Sequence, residues 1–153
     1  MEKLSNIEVS EICNQLGETE PKSIKQVYGG NIHNSWQIQF RNKKYFLKRN
    51  IRGGKLLKFE KCCLQNLQKN INEKELIIPK VFLYSEIKNS EILLMDWIDM
   101  QSGNQKKLGK GIGEMHLKSN EINPNKFGFP LEGYIGMTKQ IKGWEVEWAD
   151  CFI

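Results

Sequence analysis

Arginine is scarce in this chain of 153 residues: Arg41, Arg49 and Arg52 stand among 23 basic residues, and the others are lysines. Base reading and planar phosphate clamping favour arginine, so no nucleic acid is expected as a partner. Long hydrophobic runs are missing too. None approaches the ~18 residues of a membrane helix, so no membrane partner is expected. The opening stretch, MEKLSNIEVSEICNQLG, is charged and broken by polar residues. It does not read as a secretory leader, and a cytoplasmic location is the expectation. Cysteine is sparse. Cys13, Cys62, Cys63 and Cys151 fit no zinc spacing and no disulfide framework. They read as reduced, mostly buried thiols. Repeats and low-complexity segments are also lacking. What remains is a globular composition, 39% hydrophobic and 27% charged, which excludes a disordered tail and a coiled coil. The length suffices to bury a real core.

The net charge is +5, and the basic excess is local. Nine basic residues lie between Arg41 and Lys61 against one acid, Glu60. Such a run is either a solvated lysine-rich face, a phosphate site or a nucleic-acid patch.

Ser5 and Glu8 form an S-x-x-E capping box. It opens a helix carrying Ile7, Ile12 and Leu16 that stops at Gly17. Residues 22–28 read as a strand, broken at Gly29-Gly30. Trp36, Ile38 and Phe40 alternate with Gln37 and Gln39, the pattern of a half-buried strand. Arg41 to Lys44 is a tight turn in which Asn42 tolerates positive φ, and 45–49 is the return strand. Residues 56–70 carry Leu56, Phe59, Cys63 and Leu67 at helical spacing, a stripe that Ile71 continues. Strands follow at 81–85 and 91–95. EILLM has the unbroken apolar character of a strand covered on both faces. Residues 102–118 form a helix with Leu108, Ile112, Met115 and Leu117 inward. Residues 120–143 read as a long loop, and 144–153 as the start of an apolar helix with Trp148, Phe152 and Ile153. A chain stopping inside such a helix is expected to be incomplete.

The order is α+β: one helix, three strands, a helix and two strands, then helices. A five-stranded antiparallel sheet with a helix after its third strand is the small lobe of a protein-kinase-like fold. The expected boundary puts that lobe at 1–97 and the start of a helical lobe, truncated before any catalytic loop, at 98–153. Phosphoryl transfer needs positioning and charge neutralisation. A glycine turn between the first two strands, here Gly29, Gly30, Asn31 and Ile32, lets backbone N–H groups approach phosphates; it equally makes an ordinary hairpin. Lys48, near the end of the third strand, stands where a kinase lysine reaches the phosphates. Glu60 falls on the apolar stripe of the following helix, where a carboxylate is costly without a cation. Lys48 is its natural partner; a solvated Glu60 is the other reading. Met95, Asp96, Trp97 and Ile98 would form the hinge that meets an adenine ring, or simply a strand followed by an exposed acid.

Residues 125–153 carry Phe127, Gly128, Ile135, Gly136, Thr138, Gln140, Trp144, Trp148 and Phe152. This segment resembles the FG…N-x-I-G-x-T-x-Q-x-N-x-W-x-x-x-W-x-x-F signature of the fructosamine (ketosamine-3-) kinase family. GG-N-I-H-N-S-W resembles its nucleotide loop, YFLKRN its lysine strand, LKFEKCCLQNL its glutamate helix and LLMDWI its hinge. LGKGIGEMHLKS resembles a later helix, with His116 at the family's histidine. Gly143 replaces the family's Asn, and Asp96 its hinge Glu. The resemblance implies ATP and Mg²⁺ as cofactors. It implies a small-molecule or protein-bound ketosamine as substrate, phosphorylated on its sugar 3-hydroxyl. An aminoglycoside- or choline-kinase type, or a nucleotide-binding module without chemistry, is the alternative. The family's H-G-D-x-x-x-x-N loop and D-P-A are absent from these 153 residues. No catalytic or metal-binding residue is therefore assigned, an inactive truncated form is expected, and a missing lobe could come from another chain.

Overall fold

The computed structural model describes residues 3–29, 33–41, 43–72, 74–136, 138–140 and 143–151. Gly30, Asn31 and Ile32 of the glycine turn, Asn42 of the next turn, and Phe152 and Ile153 lie outside the described residues. The chain divides into two compact units, Met1–Lys61 with Pro79–Asp99, and Cys62–Ile78 with Met100–Ile153. No helix among the described residues is long and apolar enough to cross a membrane.

The first unit opens with α1 (Asn6–Leu16). Its capping box forms as the sequence predicts. The Ser5 side chain accepts from the Glu8 N–H, and the Ser5 N–H donates to Glu8 Oε2 at 2.8 Å. Gly17 closes the helix in the left-handed region, where a residue without Cβ is least strained. The strands β1 (Ser23–Val27), β2 (Asn34–Phe40) and β3 (Lys43–Asn50) run into α2 (Leu56–Lys69), and β4 (Val81–Ile87) and β5 (Ser90–Asp96) follow. They pair throughout as antiparallel neighbours in the order β1-β2-β3-β5-β4. The turn after β2 is a tight one, with Arg41 at φ +42°.

Strand alternation sends each residue to one of two faces. Trp36, Ile38, Phe40, Tyr45, Leu47, Leu83, Ile92 and Leu94 form one core with Ile12 and Cys13 of α1. The other face carries Ser35, Phe46, Lys48, Leu93 and Met95. Strand β5 is buried from Glu91 to Met95, as its unbroken apolar run requires. In α2 the fully buried positions are Leu56 and Leu57; Phe59, Cys63 and Leu67 are half-buried, as is Ile71 beyond the helix end. The expected stripe is thus rotated by about one residue at its start, where the sheet rather than the period chooses the face. Of the cysteines, Cys13 is buried and the other three are half-buried.

The second unit holds α3 (Gln105–Ile122), capped by Asn104, whose side chain accepts from the Lys107 N–H at 3.1 Å. Its expected inward set is corrected: Leu108, Ile112 and Leu117 are exposed and Met115 half-buried, and Gly111 is the buried residue. A Cβ on Gly111 would stand 3.0 Å from Leu76 Cβ, so this glycine permits the close approach of residues 75–76. The expected loop at 120–143 contains short ladders. Strand β6 (Phe127–Phe129) pairs with β9 (Gly143–Glu145), and β7 (Gly133–Ile135) with β8 (Thr138–Gln140). The expected helix at 144–153 is also corrected: Trp144 lies in β9, and among the described residues only Trp148–Cys151 turns, as a 3₁₀ helix. Gly128 and Gly143 explain this locally. Both have positive φ, and a Cβ on Gly128 would collide with the Gly143 carbonyl oxygen. The two strands pair so closely at Gly128 that only glycine fits there.

Candidate functional site

The site begins with β3. Leu47 faces the α1 core, so Lys48 faces the other side of the sheet, opposite Leu93 of β5 and Ser35 of β2. Two residues earlier on the same face, Phe46 stands opposite Met95. Lys48 and Phe46 are thus separated by one pleat repeat, about 6.6 Å along the strand. Met95 is buried, and the Phe46 ring lies 6.2 Å from the Trp97 ring. An apolar end and a cationic end share one face.

Glu60, one turn into α2, supplies the cationic end with its partner. Lys48 Nζ donates to Glu60 Oε1 at 2.6 Å, with the two side chains 27% and 29% exposed. The inward carboxylate and the strand lysine meet as their phasing predicts. The pair is neither solvated nor sealed. One N–H of the ammonium is held by Glu60, and Nζ carries two more donors for an anion.

The remaining basic run does not form one patch. Arg41 pairs with Glu18 at 3.5 Å, Arg49 with Glu8 at 3.3 Å and Lys55 with Glu86 at 3.8 Å. Lys43 lies over the Phe82 ring at 4.1 Å, and Lys61 over that of Tyr84 at 5.5 Å. Most of the local charge is spent on individual partners.

Of the glycine turn, Gly29 is described, at φ +134° with open space where a Cβ would stand. At the hinge, the Asp96 N–H donates to the Lys80 carbonyl and the Lys80 N–H donates to Asp96 Oδ2, each at 3.0 Å. Asp96 thereby ties β5 to the start of β4. Trp97 and Ile98 follow the end of the strand, and the Trp97 indole N–H donates to Asp99 at 2.7 Å.

Three groups escaped the sequence reading. His33, just before β2, has a buried Nδ1 without a hydrogen-bond partner. Burial, then the Lys48 ammonium, pull its pKa below the ordinary 6.5, with Arg52 in the same sense and Glu60 and Glu91 opposing. The imidazole is neutral at pH 7. An NMR titration of His33 is expected to give a midpoint below 6.5, raised by Lys48→Met; a midpoint at or above that value in the parent chain would refute the placement. Glu91 and Asn50, both buried, are joined at 2.7 Å. Their signal in sequence was a polar residue within an apolar run, at the start of EILLM and the end of YFLKRN. Among the described residues no group of three or more His, Cys, Asp or Glu could hold a metal ion.

The fructosamine kinase family model matches residues 5–153. A "Probable ketoamine kinase" of Enterococcus faecium is 26% identical over 128 residues, covering 82% of this chain and 43% of that one. An uncharacterized Staphylococcus aureus protein, from the region 3′ of ileS, is 30% identical over 114 residues, covering 71% of this chain and 83% of its own. The chain spans about half the length of the ketoamine kinases it matches. Among solved structures, a "Putative fructosamine-3-kinase" from Haemophilus somnus superposes with a TM-score of 0.76 at 21% identity, over 94% of this chain and 48% of that one. The five-stranded sheet is therefore that of a kinase-like fold, and the chain belongs to the fructosamine kinase family.

Proposed function

We propose that this chain carries the nucleotide-gripping part of a ketosamine kinase, which moves the γ-phosphoryl group of ATP to the sugar 3-hydroxyl of a ketosamine-modified amine or lysine. The observation behind it is the 2.6 Å pair of Lys48 and Glu60 on the sheet face that also carries Phe46 and Met95. Glu60 holds the ammonium in place, and Lys48 neutralises α- and β-phosphate charge there. The base would lie toward Met95, with backbone groups of Asp96, Trp97 and Ile98 at its edge and the phosphates toward Lys48. The residues fit a nucleotide. Among the described residues no group of three or more His, Cys, Asp or Glu stands together to hold a metal ion.

Calorimetry with ATP on the 153-residue chain tests this. Weak binding is expected, and Lys48→Ala should weaken it by roughly ten- to a hundredfold, the value of one hydrogen bond to a charged group. Tight binding indifferent to Lys48→Ala would contradict the assignment.

A further inference from the structure

We propose that Glu91 is a positioning residue: its carboxylate, reaching from β5, locks the start of α2 to the end of β3 and so brings Glu60 to Lys48. This inference deepens the phosphate-site reading and rests on it for its functional meaning.

Helix α2 has a weak beginning of its own. Gly53, Gly54 and Lys55 all have positive φ, and no Ser, Thr, Asp or Asn immediately precedes Leu56. The first backbone bond back into the turn runs from the Phe59 N–H to the Lys55 carbonyl. A helix must find partners for its earlier N–H groups elsewhere. The Lys58 N–H donates to Glu91 Oε1 at 3.2 Å, across 33 positions of chain. A negative charge at this end also suits the helix dipole.

The other oxygen of the same carboxylate holds β3. Asn50 Nδ2 donates to Glu91 Oε2 at 2.7 Å and to the Gly53 carbonyl at 2.9 Å, while Asn50 Oδ1 accepts from the Arg52 N–H at 3.0 Å. Asn50 is two residues beyond Lys48 on the strand, and Lys58 is two residues before Glu60 on the helix. Glu91 is 6% exposed, and its charge is held by designated donors. The Tyr84 hydroxyl, 2.8 Å from Glu91 Oε1, is one of them. Burial, then the hydrogen bonds to Glu91 and Glu86, push that phenol well above its ordinary range. One buried carboxylate thus fixes both elements that carry the ion pair.

A merely structural role would change stability without singling out Lys48. The test is therefore the reactivity of each lysine in the whole folded chain, by competitive labelling with acetic anhydride and mass spectrometry. Lys48 should label severalfold more slowly than exposed Lys44. Glu60→Gln should remove that protection. Glu91→Gln should remove it to the same extent, leave Lys44 and Lys110 unchanged, and add nothing in the Glu60→Gln background. A Lys48 as slow in Glu91→Gln as in the parent overturns the proposal, as does a double variant whose effects add. If Glu91→Gln does not fold, Tyr84→Phe decides: a smaller acceleration confined to Lys48 supports the proposal, and none overturns it. No nucleotide enters this experiment. A chain that binds no ATP yet releases Lys48 in Glu91→Gln would refute the phosphate-site reading and leave the positioning intact.

Discussion

Replacing Glu8 with alanine is expected to remove about 3–5 kcal/mol of folding stability, the cost of breaking a buried ion pair by removing one partner. Glu8 and Arg49 have side chains 4% and 9% exposed, and Arg49 Nη1 donates to Glu8 Oε2 at 3.3 Å. The same Oε2 accepts from the Ser5 N–H and hydroxyl, and Glu8 Oε1 lies 3.1 Å from Ser90 Oγ. Alanine would remove the box that starts α1 and the carboxylate that faces the Arg49 guanidinium, which also donates to the Lys3 carbonyl at 3.1 Å and lies over the Trp36 ring at 5.0 Å. Helix α1 contributes Ile12 and Cys13 to the main core, so the loss spreads beyond one contact. Burial works against ionisation of Glu8. The Ser5 hydrogen bonds, the Arg49 charge and the Ser90 hydroxyl outweigh it, and the carboxyl titrates below its ordinary 4.5. Its folded-state pKa is thus depressed. The stability it brings is present above pH 4.5 and is lost as pH falls through the folded value. Urea unfolding of the parent, Glu8→Ala and Glu8→Gln at pH 7 and at acid pH measures both effects. A loss under about 1 kcal/mol at pH 7 would show that the interior reorganises around Arg49.

Glu8 also shows what a sequence can and cannot disclose. Its capping role is local, three residues from Ser5, and was legible. Its second role, against Arg49, spans 41 positions, and no periodicity reports it. The Lys48–Glu60 pair was legible because two local patterns converged. The order of strands put Lys48 near the end of the third, where a kinase lysine stands, and helical spacing put a lone acid on an apolar stripe. Glu91 obeyed neither rule. It sits in a strand buried on both faces, where an acid looks like an interruption until its partners on α2, β3 and β4 are in place.

Unit two failed at the sequence level for a related reason. Trp144 and Trp148 are four apart, the spacing of a helix face. Yet Trp144 stands opposite Gly128 in a three-residue ladder, and the positive φ of Gly143 excludes regular helix just before it. Three-residue strands are too short to show alternation. In α3 the stripe of Leu108, Ile112 and Met115 is real as a pattern. Its buried contact is made instead through Gly111, a residue without a side chain to signal it.

The 153-residue chain alone should form no ketosamine 3-phosphate. Transfer requires a carboxylate to take the acceptor hydroxyl proton and ligands for the metal that bridges the β- and γ-phosphates. In the first unit, Glu60 is engaged by Lys48, Glu91 by Asn50 and Lys58, Glu8 by Arg49, and Asp96 by the Lys80 N–H. Each already accepts hydrogen bonds that its neighbours need. Diverting Glu60 to a metal would release the ammonium that is proposed to hold the phosphates. Asp150 lies exposed in the 3₁₀ turn. The loop that supplies base and metal ligand in the family, H-G-D-x-x-x-x-N, has no counterpart in these residues. The purified chain with Mg²⁺, ATP and a fructosyl-amine should therefore match its Lys48→Ala variant, both at background. Turnover above that control would overturn the expectation and require one of these carboxylates to leave its present partner during catalysis.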